Sequence, residues 1–362
     1  MSGTQVTMLI ITIILSTVIL FVPSATAEKA KQSAWIVPIV ASLAGVVTLW
    51  LVTHLGRRFP SYTLPEYIQI ILGRFLGKLL GVWYLVGFLC GCILIARQFV
   101  EFISITLLPG TPPMVISLAF VLVGVYAASK GLEVIARMNQ FVFPLLFTAL
   151  LVSFILGWFK IDLIRLLPLL EEGIKPIIAA SWTPASWFGE VIFIAFIYPQ
   201  INKPKEIFEK GLIGLLISTT LSILMILFTI SIFGSVLTST LTFPFWSVIR
   251  FLEFGKYVQR LESYLVIIWI TSMVIKISLF TYLASFITTQ VFPVKYKIVL
   301  YPLGGIVVIG SVYGFKNIEQ FINILINFVP PLGLLGEIGF PLLFLIVAIL
   351  RGKKEGDRNL ER

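Results

Sequence analysis

Two long apolar segments of this chain each contain residues that interrupt a membrane helix, and the two segments open matching halves of the sequence. The first carries Ser16 and Thr17 at its middle, and the sixth is interrupted in the stretch ending at Pro184 and again at Gly189 and Glu190. An interrupted helix leaves backbone N–H and C=O groups that hydrocarbon cannot satisfy, so these groups must face protein or a polar cavity. Interruptions at matching positions therefore predict a transporter-like fold with a binding site near the bilayer midplane.

Apolar segments account for nearly the whole chain. Of its 362 residues, 58% are hydrophobic and 12% are charged, and a soluble chain of this length needs far more charge to cover its surface. About 20 apolar residues in a helix span the hydrocarbon core. Ten such runs occur, at residues 5–27, 33–55, 79–108, 112–130, 138–160, 176–199, 211–234, 262–290, 296–314 and 329–350. We expect one all-α transmembrane domain, residues 1–351, followed by a short cytoplasmic tail, residues 352–362.

The distribution of Lys and Arg sets the predicted orientation. Met1 to Gln5 contain neither residue, so the positive region of a secretory signal peptide is missing and we expect the first segment to be retained as a helix. The even-numbered connections and the tail hold most of the 27 Lys and Arg residues, which places both termini in the cytoplasm. We attribute the net charge of +10 to basic residues that orient the protein in the membrane and contact anionic lipids, and we expect no nucleic-acid partner.

The chain carries no pattern that is typical of an enzyme. Zinc-binding, phosphate-loop, dinucleotide-binding and catalytic-triad motifs are all missing from the sequence. Cys90 and Cys92 lie two residues apart in the third segment, so they point to different helix faces and cannot bridge each other. His54, the single histidine, is expected at the membrane interface. We predict that the protein is not an enzyme and requires no metal or cofactor.

Four ionisable residues lie well inside predicted helices: Arg97, Glu101, Glu190 and Lys276. Each costs on the order of 3 kcal/mol at the centre of an isolated helix, so each is expected to face the bundle interior and to have a partner there. Arg97 and Glu101 are spaced i,i+4 and can pair on one helix face. We interpret this pair as structural.

Lys276 is the most constrained of these charges, because it lies at the midpoint of residues 262–290 and its stem is too short to reach either membrane surface easily. We expect its ammonium to stand where a transporter would hold a coupling sodium ion and to contact carbonyls of the first segment. Glu190 has two interpretations. It lies either at the outer interface or at the helix break, where it can bind a ligand ammonium or pair with Lys276.

The connections between segments carry the most specific strings. The second segment ends in GRRFPSYTLPEYIQIILGRFLGK, and further on come LLPGTPP, GLEVIAR, LLPLLEEGIKPI and FGE, in that order. Together these strings resemble the spore germination permeases, the B subunits of nutrient germinant receptors. The resemblance extends over nearly the whole chain, from Thr4 to about Arg351.

This resemblance implies a leucine-transporter-like fold of the amino acid–polyamine–organocation superfamily, with ten transmembrane helices, two inverted five-helix repeats and discontinuous helices 1 and 6. It implies a sensor that binds a small germinant, typically an amino acid, and acts with the A and C subunits in the inner membrane of the endospore. One departure concerns the first break. The family usually has Gly-Ser there, whereas this chain has Ser16 and Thr17, which can also bond back to carbonyls of their own helix.

A binding mode follows from the chemistry of an amino acid. Helix N-termini at the breaks offer partial positive charge to its carboxylate. Freed carbonyls, Ser16, Thr17 or Glu190 accept its ammonium. The side-chain pocket is expected to be shaped by Phe88, Cys92, Phe193, Ser278 and Tyr282.

Two alternatives remain open at the level of the sequence. The first is an amino acid transporter of the same fold, since sensing and transport both need a site between mobile helices. The second is a structural subunit with a vestigial pocket, in which the membrane charges serve assembly.

Overall fold

The computed structural model describes residues 1–252 and 261–355. Residues 253–260, in the connection before the eighth apolar segment, and residues 356–362, at the end of the predicted cytoplasmic tail, lie outside these residues.

Fifteen α-helices follow one another through the described residues, and every predicted apolar segment coincides with one or more of them. Their bounds are α1 Gly3–Ala30, α2 Val37–Arg58, α3 Leu64–Leu72, α4 Arg74–Thr106, α5 Pro113–Ser129, α6 Leu132–Gly157, α7 Lys175–Gly189, α8 Phe193–Ile197, α9 Ile207–Thr240, α10 Pro244–Phe251, α11 Leu261–Val291, α12 Tyr296–Tyr313, α13 Ile318–Asn323, α14 Val329–Leu334 and α15 Phe340–Leu350. The all-α prediction is confirmed.

The count of ten membrane crossings stays a prediction. Within the described residues, eight helical stretches are long and apolar enough to cross a membrane. One of them, Gly3–Arg58, is 56 residues long and contains both α1 and α2, which are joined by the 3₁₀ turn Lys31–Ile36. The helix Pro113–Ser129 is apolar but shorter, at 17 residues.

The predicted interruption of the first helix is wrong, because α1 runs unbroken for 28 residues. The Ser16 hydroxyl donates to the Ile13 carbonyl at 3.0 Å, and the Thr17 hydroxyl donates to the Ile14 carbonyl at 3.4 Å. Ser and Thr are accommodated inside helices by such bonds. Ser16 and Thr17 therefore leave the helical backbone intact. Where the family usually has Gly-Ser, this chain has a continuous helix.

The sixth segment is interrupted once. α7 continues through Pro184 to Gly189, so the break predicted at Trp182-Thr183-Pro184 is wrong. Surrounding helices allow proline inside a membrane helix, and Pro184 is buried among them. The break at Gly189-Glu190 is confirmed, because α7 ends there and a 3₁₀ turn, Glu190–Ile192, precedes the five-residue helix α8.

The TLPEY string of the cytoplasmic connection starts α3. The Thr63 backbone N–H donates to the Glu66 carboxylate at 2.9 Å, and the Thr63 hydroxyl also lies 2.9 Å from that carboxylate. This is a capping box, in which side chains satisfy N–H groups that the first helical turn leaves unpaired. α3 packs on α4 and lies within the connection between α2 and α4.

The most buried helices define the centre of the bundle. α1 packs against α7, α9 and α11, and α4 covers α11 from the other side. Most residues of α1 are buried, whereas the outward faces of α4 and α5 expose large apolar side chains, as lipid contact requires. The broken end of α7 and the midpoint of α11 therefore meet beside α1.

Candidate functional site

A cavity of about 330 Å³ lies where α1, α4, α7, α11 and the stretch Ile324–Gly339 meet. We call it the central cavity. Its aromatic lining consists of Trp83, Tyr84, Phe88, Trp187 and Phe280. Its polar lining consists of Thr17, Gln98, Ser186, Glu190, Lys276 and Glu337. A volume of 300–1,000 Å³ with mostly apolar walls and few polar groups is typical of small-molecule sites.

Lys276 is fully buried in the cavity wall, on α11. Its ammonium donates to the Ile13 carbonyl at 3.0 Å and to the Thr17 hydroxyl at 2.8 Å. It also lies 2.9 and 2.7 Å from the two carboxylate oxygens of Glu190. An ammonium has three N–H donors, so these three partners account for its whole donor capacity. Lys276 thus joins α1, α11 and the turn after α7. The predicted contact with a carbonyl of the first segment is present, although α1 is not broken, and the correspondence with a coupling-sodium position stays a prediction.

Glu190 is positioned by the end of α7. The 3₁₀ turn that begins at Glu190 directs its side chain to Lys276 rather than to the outer interface. A buried ion pair is stable only when its hydrogen-bonding capacity is satisfied, and the removal of one partner typically costs 3–5 kcal/mol because a charge is left uncompensated. The pair therefore fixes the broken segment against α11.

Glu337 is a third ionisable side chain in the cavity wall, and the sequence analysis missed it. It lies in the π-helical turn Leu335–Gly339 between α14 and α15 and is 8% exposed. Its Oε2 atom has no hydrogen-bond partner among the described residues. A signal was available, because Glu337 lies in the middle of the last apolar segment, residues 329–350.

Aromatic side chains form the walls around these charges. Phe88 packs edge-on against Phe196 of α8 and Phe280 of α11, with ring centroids 5.0 and 5.3 Å apart. The Tyr84 hydroxyl donates to the Gly336 carbonyl at 2.7 Å. The hydroxyl therefore fixes α4 to the turn that carries Glu337.

Three of the predicted site residues meet at the cavity as one connected group, Thr17, Glu190 and Lys276, and Phe88 lines the same cavity. Ser16 does not line it. Its backbone carbonyl accepts a hydrogen bond from the Trp269 indole at 2.8 Å, away from the cavity.

Four further predicted residues also lie outside the cavity lining, and their part in ligand binding stays a prediction. Cys92 faces Thr281, with 3.7 Å between sulfur and hydroxyl oxygen. Phe193 is fully buried in α8. The Ser278 hydroxyl donates to a carbonyl of its own helix at 2.6 Å, and Tyr282 accepts a hydrogen bond from the Gln200 amide at 3.4 Å.

Arg97 and Glu101 form an ion pair on α4, as their spacing predicts. Arg97 also donates to the Ser311 carbonyl of α12 at 3.2 Å and lies 5.6 Å from the centroid of the Phe315 ring. The pair therefore joins α4 to α12 rather than lining the cavity. Within residues 1–252 and 261–355, no group of three or more His, Cys, Asp or Glu side chains is placed to hold a metal ion.

The sequence of this chain is similar to those of known proteins. A family model described as "Spore germination protein" matches residues 1–319. Spore germination protein KB of Bacillus subtilis (strain 168) is 27% identical, with 90% of this chain and 89% of that protein covered. Spore germination protein YndE of the same organism is 28% identical, with 98% and 97% covered.

Solved structures show the same fold at low sequence identity. MhsT, solved in complex with L-phenylalanine, gives a TM-score of 0.66 at 13% identity over 96% of this chain and 97% of that one. A Na⁺-coupled sialic acid symporter in a substrate-bound outward-open state gives a TM-score of 0.68 at 12% identity over 99% of this chain and 85% of that one. These likenesses establish the leucine-transporter-like fold, in agreement with the fold expected from the sequence.

Proposed function

Because this chain belongs to the family of spore germination proteins, we propose that it is the membrane subunit of a nutrient germinant receptor. It binds a small germinant, an amino acid, in the central cavity and so triggers germination. The observation that carries this proposal is the cavity itself: about 330 Å³ of space with aromatic walls and both signs of charge at the centre of the bundle.

The contacts of Lys276 suggest how binding is passed on. A ligand shifts a conformational equilibrium only by its difference in affinity for the two states. Lys276 holds α1, α11 and the end of α7 together through Ile13, Thr17 and Glu190. A ligand that contacts Glu190 or Thr17 in one arrangement of these helices and not in the other therefore changes the balance between the arrangements.

The family also supports the partners and the location of the protein. We propose that it acts with the A and C subunits of the receptor in the inner membrane of the endospore, with both termini in the cytoplasm. The basic cytoplasmic connections, which include Arg57 and Arg58 at the end of α2, fit contact with anionic lipids on that side.

Amino acid transport is the second candidate, and the likeness to two transporters in fold favours it. Binding and transport are separated by two measurements on the purified protein. The first is a thermal-shift screen of amino acids, in which a germinant raises the unfolding temperature of the wild-type protein. The second is uptake of the same labelled amino acid into proteoliposomes.

A receptor is expected to bind the amino acid without concentrating it. Uptake that exceeds equilibrium exchange would make the protein a transporter. If no amino acid alters the unfolding temperature or germination of the spores, the proposal fails and the cavity is vestigial.

A further inference from the structure

Two lining residues of the central cavity, Gln98 and Glu337, have a buried side-chain oxygen without a hydrogen-bond partner among the described residues, and Glu337 is the one that can carry a charge. Its Oε2 atom is buried and has no hydrogen-bond partner in the described part of the chain. Buried polar groups are almost always hydrogen-bonded, and an exception calls for an explanation. One functional explanation is that a bound ligand supplies the hydrogen-bond donor for this oxygen.

The charges of the cavity indicate the chemistry of that partner. Lys276 and Glu190 balance each other in an ion pair, with 2.7 Å between nitrogen and oxygen. The other contacts of the Lys276 ammonium go to Ile13 and Thr17. Its three donors are therefore already used, so the carboxyl groups of Glu190 and Glu337 share a single ammonium group in this cavity. A cation with N–H donors beside Glu337 would stabilise the ionised form of that carboxyl group through charge-assisted hydrogen bonds.

Close packing holds Glu337 in place. A Cβ atom at Gly189 would lie only 2.0 Å from Oε2 of Glu337, so the glycine at the end of α7 leaves room for the carboxylate. A Cβ atom at Gly333 would lie 2.7 Å from the Ser186 hydroxyl, so the tenth segment lies directly against α7. A carboxylate confined in this way is preorganised, and binding does not have to order it first.

The surroundings of Glu337 are aromatic. The carbonyl of Gly336, its neighbour in the chain, accepts a hydrogen bond from the Tyr84 hydroxyl. The Trp83 indole nitrogen lies 3.6 Å from the position that a Cβ atom at Gly336 would take. Aromatic rings favour both the apolar body of a ligand and a cationic group close to a ring face. A carboxylate beside aromatic walls is suited to an ammonium group attached to a small apolar body.

We propose that Glu337 binds the ammonium group of the ligand, and that the ligand class is a small apolar amino acid or amine. This rests on the proposed germinant-binding function and refines it. From the sequence alone, the ammonium is expected at freed backbone carbonyls, Ser16, Thr17 or Glu190. Glu190 is engaged by Lys276, so the role moves to Glu337, whose Oε2 atom has no hydrogen-bond partner among the described residues.

The test uses the purified full chain and three matched sets of probes. Each set contains an amino acid, its amine without the carboxylate, and its acid without the amine. The sets are L-alanine, ethylamine and propionate; L-valine, isobutylamine and 3-methylbutanoate; and L-phenylalanine, phenethylamine and 3-phenylpropanoate. Binding is measured by thermal shift and calorimetry on the wild-type protein, Glu337→Gln, Glu337→Asp and the control Glu133→Gln. Glu133 is exposed and pairs with Arg137 on the surface of α6.

We expect the wild-type protein to bind the amine-bearing members of at least one set and not its acid. We expect Glu337→Gln to weaken that binding at least about tenfold, Glu337→Asp to weaken it less, and Glu133→Gln to leave it unchanged. If Glu337→Gln fails to fold, the affinity of Glu337→Asp decides the role of Glu337, and the comparison of amine with acid on the wild-type protein decides the ligand class. Binding of the acid as strong as that of the amino acid would overturn the proposal.

Two further outcomes separate this inference from the proposed function. Unchanged affinity of Glu337→Gln for an amino acid that the wild-type protein binds overturns the role of Glu337 and leaves germinant binding intact. Failure of the wild-type protein to bind any probe counts against both. Sodium chloride in place of choline chloride is the last comparison, because a thermal shift by sodium alone that disappears in Glu337→Gln would assign the site to an inorganic cation instead.

Discussion

The ammonium nitrogen of Lys276 lies 2.7 Å from one carboxylate oxygen of Glu190 and 2.9 Å from the other. A side chain from the middle of α11 therefore stabilises the turn at which the sixth segment breaks. The same ammonium donates to a backbone carbonyl of α1. One buried side chain thus connects the central helix of the first half with two elements of the second half.

Replacement of Lys276 by methionine tests this connection. We expect Lys276→Met to lower the free energy of unfolding by about 3–5 kcal/mol, because the Glu190 carboxylate is left buried without a counter-charge. The ligand response should be lost as well. Thermal unfolding in detergent and the germination response measure the two effects. The double variant Lys276→Met/Glu190→Gln should recover part of the stability. A stable, correctly inserted Lys276→Met protein with a normal ligand response would falsify the connection.

Thr17 is expected to matter through its hydroxyl. Thr17→Val keeps the shape of the side chain but removes the oxygen that accepts a hydrogen bond from Lys276 at 2.8 Å. The loss of one partner of a buried charged donor costs about 1–3 kcal/mol. Thr53→Val is the matched control, because the Thr53 hydroxyl is buried and bonds to carbonyls of its own helix. Equal changes in unfolding temperature for the two variants would contradict the role of Thr17.

Gly189 should tolerate no side chain. In Gly189→Ala, the new Cβ atom would meet Oε2 of Glu337 at 2.0 Å, so Glu337 must move. We expect a loss of stability of about 1–3 kcal/mol from overpacking and weaker ligand binding. Gly305→Ala is the control, since no heavy atom lies within 4 Å of its added Cβ atom. The result that contradicts this prediction is ligand affinity in Gly189→Ala equal to that of the wild type.

Arg97 is expected to contribute to stability and not to ligand binding. Arg97→Met leaves Glu101 without its partner in a region where both side chains are nearly buried, so the loss should approach about 3 kcal/mol. Arg137→Met removes an exposed pair with the same spacing, and that loss should stay below about 1 kcal/mol. Urea or thermal unfolding compares the two variants. A large change of ligand affinity in folded Arg97→Met would place this pair in the binding mechanism.

The positions of the helices were predictable from the sequence because a membrane span needs about 20 apolar residues, and such runs are conspicuous. The charge at Lys276 was predictable for a similar reason, since a lysine at the midpoint of a span must face inward. The continuity of α1 was not. Ser16 and Thr17 satisfy helix-interior carbonyls as readily as they mark a break, and only the three-dimensional arrangement decides between the two.

The pocket residues illustrate a second limit. Lys276 and Phe280 are four residues apart, so they lie on one face of α11 and both line the cavity. Ser278 is two residues from Lys276 and therefore points to another face, a distinction that helical periodicity already contained. Helical periodicity could not predict the proximity of Glu337 to Gly189, because this proximity depends on how the tenth segment packs against α7.

The contacts of Lys276 also affect how long α1 and α11 stay joined. A metal ion bridging two helices exchanges with the surroundings, and the fraction of sites it fills follows its concentration outside. The amino group of a lysine is attached covalently to the polypeptide, so its occupancy of the site does not depend on an outside concentration. Contact between α1 and α11 through Ile13 and Thr17 is therefore set when the protein folds and does not lapse when the surrounding salt is diluted. Such a contact is suited to a protein that must hold one resting arrangement for a long time.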